Sequence, residues 1–341
     1  MIYIKQLPNA SELIEQYPIS CKEIKRREEI LQEAYNIITG KSKKKLLIIG
    51  PCSADREDAV LDYVVRLSIL QEKVSESFLI FPRIYTSKPR TTGMGYKGLL
   101  HRPKATCEHD DIISGLIATR KLHQKVILNS GLFPADEMLY PELLSYIADL
   151  LGYVAVGARS VENQQHRLTA SGLDIPVGMK NPTSGNYDVM LNAVIAAQHP
   201  QSLIYNGWEV QTLGNKYSHA ILRGYTNFDG KSKPNYYYEN IQELYDLYCL
   251  TGLAFPAVVI DCSHSNSNKK YDEQQRVAID VFTSCKMNKS LNKFVKGIMI
   301  ESYIKDGAQM IGEGIYGKSI TDPCLGWEKT EKLVLKLAEM L

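Results

Sequence analysis

Short hydrophobic runs alternate with amphipathic stretches along most of this 341-residue chain. The runs predict strands near 46–49, 78–84, 126–128, 153–157, 175–179, 219–222, 257–260 and 296–300. The intervening stretches predict helices, among them 58–71, 110–124, 187–198, 241–250 and 272–282. Strands that alternate with helices in this way pair in parallel. About eight such units are typical of a closed (β/α)8 TIM barrel, so an α/β barrel is the predicted fold.

Two segments depart from the alternation. Residues 1–44 predict an N-terminal helical arm that precedes a barrel domain over 45–341. Within the arm, Ser20 is a typical N-cap, the segment to Thr39 has an apolar stripe at helical spacing, and Gly40 is a typical helix end. The segment 207–217 is too long for a simple turn, so it predicts an inserted hairpin or loop.

Four potential metal ligands occur at the ends of predicted strands. Cys52, His264 and Glu301 each follow an apolar run closely, and Asp322 lies in the loop after the last one. A thiolate, an imidazole and two carboxylates suit a borderline divalent ion such as Mn²⁺, Fe²⁺, Co²⁺ or Zn²⁺. Parallel strands of a barrel present their carboxyl ends on one face, so we expect these groups to lie together. The alternative is that a lone buried cysteine is only a small hydrophobic residue.

Basic residues recur at the same strand ends. They are Arg83, Lys88 and Arg90 in the loop after it, Arg159, Lys180 and Arg223. One arginine at a strand end is commonly part of a salt bridge or a solvated rim. Several that converge need anions to neutralise them, and arginine's planar fork suits carboxylate and phosphate. The set predicts a pocket for a substrate with more than one anionic group.

Charge and cysteine content narrow the class of protein. The net charge of +2 gives no reason to expect a nucleic-acid or membrane surface. The 7 cysteines are scattered, which is typical of a reducing compartment, and no apolar run is long enough to cross a bilayer. We therefore expect a cytoplasmic protein without nucleic-acid or membrane partners.

Several motifs together resemble the class I 3-deoxy-D-arabino-heptulosonate-7-phosphate (DAHP) synthase family. The resemblance runs from about Ile4 to the C-terminus and is strongest to members with a short arm and no fused mutase domain. The motifs are Gly50-Pro51-Cys52-Ser53, Lys88-Pro89-Arg90-Thr91-Thr92, Gly157-Ala158-Arg159, Pro176-Val177-Gly178-Met179-Lys180-Asn181, Leu222-Arg223-Gly224, Asp261-Cys262-Ser263-His264-Ser265-Asn266 and Tyr316-Gly317-Lys318-Ser319-Ile320-Thr321-Asp322.

The resemblance implies a transferase that condenses phosphoenolpyruvate with erythrose 4-phosphate and water, giving DAHP and phosphate at the start of the shikimate pathway. It implies one divalent ion and a homodimer or homotetramer. Its catalytic residues would be Lys88, Cys52 and His264, and its metal ligands Cys52, His264, Glu301 and Asp322. Its substrate contacts would be Arg83 and Lys180 for the phosphoenolpyruvate carboxylate, Arg159 and Arg223 for its phosphate, Ala158 beside them, Glu137 for a water, and Lys88, Arg90 and Thr91 for the aldehyde substrate.

Three other readings compete with this one. The eight-carbon relative, 3-deoxy-D-manno-octulosonate-8-phosphate synthase, has a Lys-Ala-Asn-Arg-Ser type of motif where this chain has Lys88-Pro89-Arg90-Thr91. A metal-dependent barrel hydrolase would need fewer cations and more histidine ligands. A catalytically silent barrel that only binds an effector would have lost a ligand or an anion-binding residue.

Two residues depart from the family pattern. Asp136 stands where the family often has Gly, and Asp174 replaces a common Ser beside the effector cavity of inhibitable members. The Asp174 carboxylate would repel an amino-acid carboxylate, although it would attract an ammonium group. We expect weak or absent inhibition by Phe, Tyr and Trp.

Overall fold

A computed structural model of the chain describes residues 1–90, 92–107 and 109–341. Its strands are β1 (Lys45–Gly50), β2 (Phe78–Pro82), β3 (Ala135–Glu137), β4 (Tyr153–Val156), β5 (Val177–Lys180), β6 (Ser202–Tyr205), β7 (Trp208–Gln211), β8 (His219–Leu222), β9 (Tyr225–Thr226), β10 (Ser232–Lys233), β11 (Val258–Asp261) and β12 (Val295–Glu301). Its α-helices are α1 (Ala10–Gln16), α2 (Cys21–Thr39), α3 (Glu57–Lys73), α4 (Ile112–Ser130), α5 (Leu144–Ile147), α6 (Gln164–Ser171), α7 (Tyr187–Gln198), α8 (Tyr238–Leu250), α9 (Glu273–Met287), α10 (Lys289–Phe294) and α11 (Trp327–Met340).

Eight of the strands form one parallel sheet in the order β2-β1-β12-β11-β8-β5-β4-β3. The two ends of this order meet in a bridge between Arg83 and Ala135, where the Ile84 N–H donates to the Ala135 carbonyl. The sheet is therefore a closed barrel with helices between its strands, and the predicted TIM barrel is confirmed.

The predicted strand at 126–128 is wrong. Its apolar residues are the end of α4, which continues to Ser130 and stops at Gly131 with φ of 66°. The third strand is β3 instead, and its sequence is Ala-Asp-Glu. A three-residue strand with two acidic residues carries no hydrophobic signal, whereas Val126 and Ile127 are buried on a helix face.

The arm and the insertion both have the predicted type of structure. The Ser20 side chain accepts a hydrogen bond from the Glu23 N–H at the start of α2, and Gly40 ends the helix with φ of 80°. Ala34, Ile37 and Ile38 of α2 pack on residues of the barrel interior, so the helix covers the amino-terminal end of the barrel. The insertion is the hairpin of β6 and β7, which begins before residue 207 and turns at Asn206 and Gly207, both with positive φ.

Alternation along each barrel strand decides what reaches the carboxyl-terminal mouth. In β1, Leu46 and Ile48 pack in the interior, while Leu47 and Ile49 pack in the separate core against the helices. When the same alternation is followed towards the carboxyl ends of the other strands, the next residues that face the interior are polar, and they form a layer at the mouth. That layer is Arg83, Glu137, Lys180, Arg223, Asp261 and Glu301. Within the described part of the chain, no helix is long and apolar enough to cross a membrane.

Candidate active site

The mouth of the barrel opens into a pocket of about 260 Å³. Of the residues singled out in the sequence, those that line it are Arg83, Lys88, Arg90, Glu137, Ala158, Arg159, Lys180, Arg223, His264 and Asp322. Thr91 lies outside the described residues. The structure therefore brings ten of the predicted residues to one concave surface, although they come from seven different parts of the chain.

Potential metal ligands lie at one side of this pocket. Single donor atoms of Cys52, Glu301 and Asp322 lie within 4.8 Å of one another. The Nε2 atom of His264 is 3.9 Å from Glu301 Oε1, at the edge of the same group. A thiolate, an imidazole nitrogen and two carboxylates are a donor set that fits a borderline divalent ion.

The position of Cys52 depends on a close approach between β1 and β2. A Cβ atom on Gly50 would lie 2.4 Å from the Arg83 carbonyl oxygen, so only glycine allows this contact. Beyond Gly50, the Cys52 N–H donates to Cys324 Sγ at 3.3 Å. Burial raises the pKa of the Cys52 thiol, and the charge of Glu301 raises it further.

His264 is held in a strained conformation by its neighbours. Its φ of 54° is uncommon for a residue other than glycine, and such strain is often found at functional sites. Its Nδ1 atom lies 2.7 Å from Ser263 Oγ and 2.9 Å from Asp261 Oδ2. These contacts leave Nε2 to face Glu301, which is how a carboxylate orients a ligand histidine.

Asp261 belongs to a motif identified in the sequence, but it was not itself predicted to be a site residue. It is fully buried, and its Oδ2 atom also lies 3.0 Å from Lys180 Nζ. Burial works to raise the pKa of Asp261, but His264 and Lys180 outweigh it, so the pKa lies well below its usual range. The available signal was its place as the last residue of β11 with its side chain on the interior face.

The cations of the pocket fall into two groups. Arg83 and Lys180 are buried and already paired, Arg83 with Glu301 Oε1 at 2.8 Å and Lys180 with Asp261. Arg159 and Arg223 have no acidic side chain within 4 Å among the residues described. The pocket therefore carries positive charge that ion pairs among the described residues do not balance.

Two more cations of the pocket lie in the loop after β2 and contact backbone carbonyls. Lys88 Nζ donates to the Cys52 carbonyl at 2.7 Å, and Arg90 Nε donates to the Tyr96 carbonyl at 2.8 Å. Burial works to lower the pKa of Lys88, but the charges of Cys52 and the nearby glutamates outweigh it, so the pKa is raised. Lys269, which the sequence reasoning also missed, lines the pocket with Nζ 3.5 Å from Asp322 Oδ1.

Comparisons with known proteins show the family of this chain. Residues 16–335 match the DAHP synthetase I family. A phospho-2-dehydro-3-deoxyheptonate aldolase of Haemophilus influenzae is 38% identical over 335 residues, covering 96% of this chain and 89% of the relative. The Phe-sensitive aldolase of the same name from Escherichia coli is 38% identical over 98% of this chain and 94% of its own length. A solved structure of the Francisella tularensis aldolase superposes with a TM-score of 0.92 at 32% identity, covering 100% of this chain and 98% of that one. The chain belongs to the DAHP synthetase I family.

Proposed function

We propose that the protein is a metal-dependent DAHP synthase that converts phosphoenolpyruvate, erythrose 4-phosphate and water to DAHP and phosphate. This is the first step of the shikimate pathway to aromatic amino acids. The observation that carries the proposal is the juxtaposition of a sulfur, nitrogen and carboxylate donor set with a pocket whose positive charge is unbalanced.

Cys52, His264, Glu301 and Asp322 would hold the divalent ion, which is Mn²⁺, Fe²⁺, Co²⁺ or Zn²⁺ on the chemistry of these donors. When bound, the ion supplies a Lewis acid for the aldehyde oxygen. Asp261 fixes the ring of His264, and Arg83 fixes Glu301, so these donors are oriented in advance.

The phosphoenolpyruvate would lie across the two groups of cations. Arg159 and Arg223, which lack acidic partners among the residues described, bind its phosphate, with Ala158 beside them at the rim. Arg83 and Lys180 bind its carboxylate, since their own acidic partners hold them in place without using all of their N–H donors. Charge-assisted contacts of this kind orient the substrate and hold its enol carbon towards the aldehyde.

The aldehyde substrate would lie against the loop that carries Lys88 and Arg90. Lys88, Arg90 and Thr91 bind erythrose 4-phosphate, and Lys88 remains protonated because its pKa is raised. As C3 of phosphoenolpyruvate bonds to the aldehyde carbon, Lys88 donates a proton to the aldehyde oxygen. Glu137 holds the water that adds at C2, and one proton of that water replaces the proton lost by Lys88. The bond between C2 and the phosphate oxygen then breaks, and the proton of the new C2 hydroxyl leaves with the phosphate as the ketone forms.

A direct assay tests this proposal. Purified protein should release phosphate from phosphoenolpyruvate when erythrose 4-phosphate and a divalent ion are present. A five-carbon aldose phosphate should support little release. Preference for the five-carbon sugar would favour an octulosonate-type enzyme instead, and no release with any of the four metals would favour a silent effector-binding barrel.

We also propose a homodimer or homotetramer. The side chains of Met1, Ile2, Tyr3 and Ile4 are 115%, 90%, 95% and 86% exposed, and a run of exposed apolar residues is usually covered by another protein surface. Sedimentation equilibrium would measure the assembly, and a monomer at micromolar concentration would contradict it.

A further inference from the structure

A buried polar cluster lies outside the pocket, on the helix side of the barrel wall. Its members are His123 on α4, Asp136 on β3 and Thr86 in the segment after β2, each 2% exposed or less. Ala135 and Glu137 face the barrel interior, so Asp136 between them faces outward. Asp136 stands where this family often has glycine, which has no side chain. The family's reaction therefore does not depend on a side chain at this position.

Asp136 accepts hydrogen bonds from two parts of the chain. Its Oδ1 atom receives the Thr86 N–H at 3.0 Å and the N–H of Glu137 at 2.7 Å. Its Oδ2 atom receives the Thr86 hydroxyl at 2.5 Å. All three contacts are donors to the carboxyl group, as expected for an ionised carboxylate.

His123 lies beside this carboxylate and comes from another element. Its Nδ1 atom is 2.9 Å from the Thr119 carbonyl, and because a carbonyl can only accept, Nδ1 carries a proton. Its Nε2 atom is 3.4 Å from Asp136 Oδ2. This close approach brings α4 against the carboxylate on β3.

The cluster lies where backbone pairing in the barrel is weakest. Within the described part of the chain, β2 and β3 meet only in the bridge between Arg83 and Ala135. Every other pair of neighbouring barrel strands has at least three registered residue pairs. The side chain of Asp136 therefore makes the contacts across this seam that a longer strand would make with its backbone.

Both sides of the seam continue into the pocket. The next residue after Asp136 is Glu137, whose carboxylate lies against Gly157, where a Cβ atom would be 2.3 Å from its Oε1. Thr86 comes two residues before Lys88 and also accepts the Leu100 N–H through its carbonyl. Asp136 thus connects the residue proposed to hold the water with the loop proposed to bind the aldehyde substrate.

We propose that Asp136 and His123 are positioning residues that close the β2–β3 seam and set the placement of Glu137 relative to Lys88 and Arg90. This inference rests on the proposed function and extends it to residues that touch no substrate. It predicts a larger effect on the aldehyde substrate than on phosphoenolpyruvate. Lys180, Arg159 and Arg223 lie on or after other strands, and Arg83, although it forms the bridge to Ala135, is also held by Glu301 of β12.

The test compares Asp136→Ala, Asp136→Asn and His123→Gln with the wild type, using Asn129→Ala on the exposed face of α4 as the control. In Asp136→Ala we expect the KM for erythrose 4-phosphate to rise about tenfold or more, with less than about a twofold change for phosphoenolpyruvate. Asp136→Asn and His123→Gln keep the shape and a hydrogen bond, so they should recover most of the wild-type KM. The control should match the wild type.

The outcomes separate this inference from the proposed function. A wild type without DAHP synthase activity refutes the proposed function first. With an active wild type, an unchanged KM for erythrose 4-phosphate in Asp136→Ala refutes the positioning role, and so does a fall in kcat alone, which a smaller folded fraction would produce. If Asp136→Ala does not fold, the KM values of Asp136→Asn and His123→Gln decide. A KM for erythrose 4-phosphate above the control value, by less than about tenfold, supports the inference. A KM equal to the control value in both variants, or a larger rise for phosphoenolpyruvate than for the aldehyde, refutes it.

Discussion

His219 shows how one residue of the barrel interior can make stability depend on pH. It is fully buried, its Nδ1 donates to the Tyr217 carbonyl at 2.9 Å, and its Nε2 accepts from the Tyr153 hydroxyl at 2.8 Å. Burial lowers the pKa of His219 to about 4, and the charge of Lys296 adds to this effect. The folded protein therefore keeps this imidazole neutral.

The consequence is a loss of stability in acid. In the unfolded chain His219 takes up a proton below a pH of about 6.5, whereas the folded protein resists it until pH 4. The contribution is present above the unfolded pKa and is lost as pH falls through this window, by about 3 kcal/mol in total. His219→Gln should flatten the pH dependence of the free energy of unfolding, measured in urea between pH 4 and 7. The exposed His199→Gln is the control, and equal slopes for His219→Gln and the wild type would contradict the assignment.

Two arginines should separate the two substrates. Arg159→Ala should mainly weaken phosphoenolpyruvate, and Arg90→Ala mainly the aldose phosphate. Loss of one charge-assisted contact to phosphate costs about 2 kcal/mol or more. Michaelis constants for both substrates in both variants provide the measurement. Equal changes for both substrates would disprove the division.

The site could be predicted residue by residue only in part. Cations and metal donors at strand ends were visible because parallel strands bring their carboxyl ends together. Asp261 and Lys269 were not, because their significance lies in what they touch: Asp261 contacts a histidine and a lysine, and Lys269 reaches Asp322 from a loop. The cluster of His123 and Asp136 was hidden for the same reason, since its members are far apart in the sequence.

At the scale of elements, the sequence predicted most strands because their apolar runs are buried on both faces. The failure at the third strand has a physical cause. Strand β3 is held by its neighbours and by the Asp136 carboxylate, so its Ala-Asp-Glu sequence needs no apolar run. The helical periodicity of α4, in contrast, extended into a segment whose local composition also suits a strand.

The contact between β1 and β2 provides a prediction at this scale. In Gly50→Ala the new methyl group would meet the Arg83 carbonyl at 2.4 Å and separate the two strands beside Cys52 and Arg83. We expect a destabilisation of about 1–3 kcal/mol, together with a loss of turnover larger than the loss of folded protein. Thermal unfolding and steady-state kinetics would measure both. Gly50 does not have a positive φ, so the substitution itself introduces no backbone strain of that kind. Full activity of Gly50→Ala would show that the strands can adjust.

At the scale of the whole molecule, the proposed metal donors come from the beginning and from the end of the sequence that forms the barrel. Cys52 follows β1, while His264, Glu301 and Asp322 come from β11, β12 and the loop beyond. Chelation should abolish turnover and lower the unfolding temperature, because an ion that binds only the folded state stabilises it. Added Mn²⁺ or Co²⁺ should restore both properties.

Cys52→Ala should fold but remain inactive, and Cys107→Ala, at an exposed position, should behave as the wild type. Full turnover by a metal-free sample would rule out the metal site.

A second cavity bears on the prediction about feedback inhibition. It measures about 640 Å³ and is lined in part by Tyr35 of α2, Asp174 and Tyr217. The Asp174 carboxylate is 75% exposed and lies 3.4 Å from Arg27, so it keeps much of its charge available to a ligand. We expect weak or absent inhibition by Phe, Tyr and Trp, because an effector carboxylate facing Asp174 would be repelled by about 1 kcal/mol or more. Titration of initial rates at sub-saturating substrate is the measurement. Micromolar inhibition would overturn the expectation, and Asp174→Ser would then show whether this position selects the effector.

Because β1 pairs with β12, the barrel cannot close until β12 has been synthesised. Val295 at the start of β12 lies 250 residues after Lys45 at the start of β1. At ribosomal rates of about 5–20 residues per second, β1 waits about 10–50 s for its partner. Throughout that interval, one edge of a strand that is fully buried in the folded barrel is open to other nascent chains. We therefore expect the yield of active enzyme to depend on chaperones that shield this edge, and to fall when translation is slowed between the codons for β11 and β12.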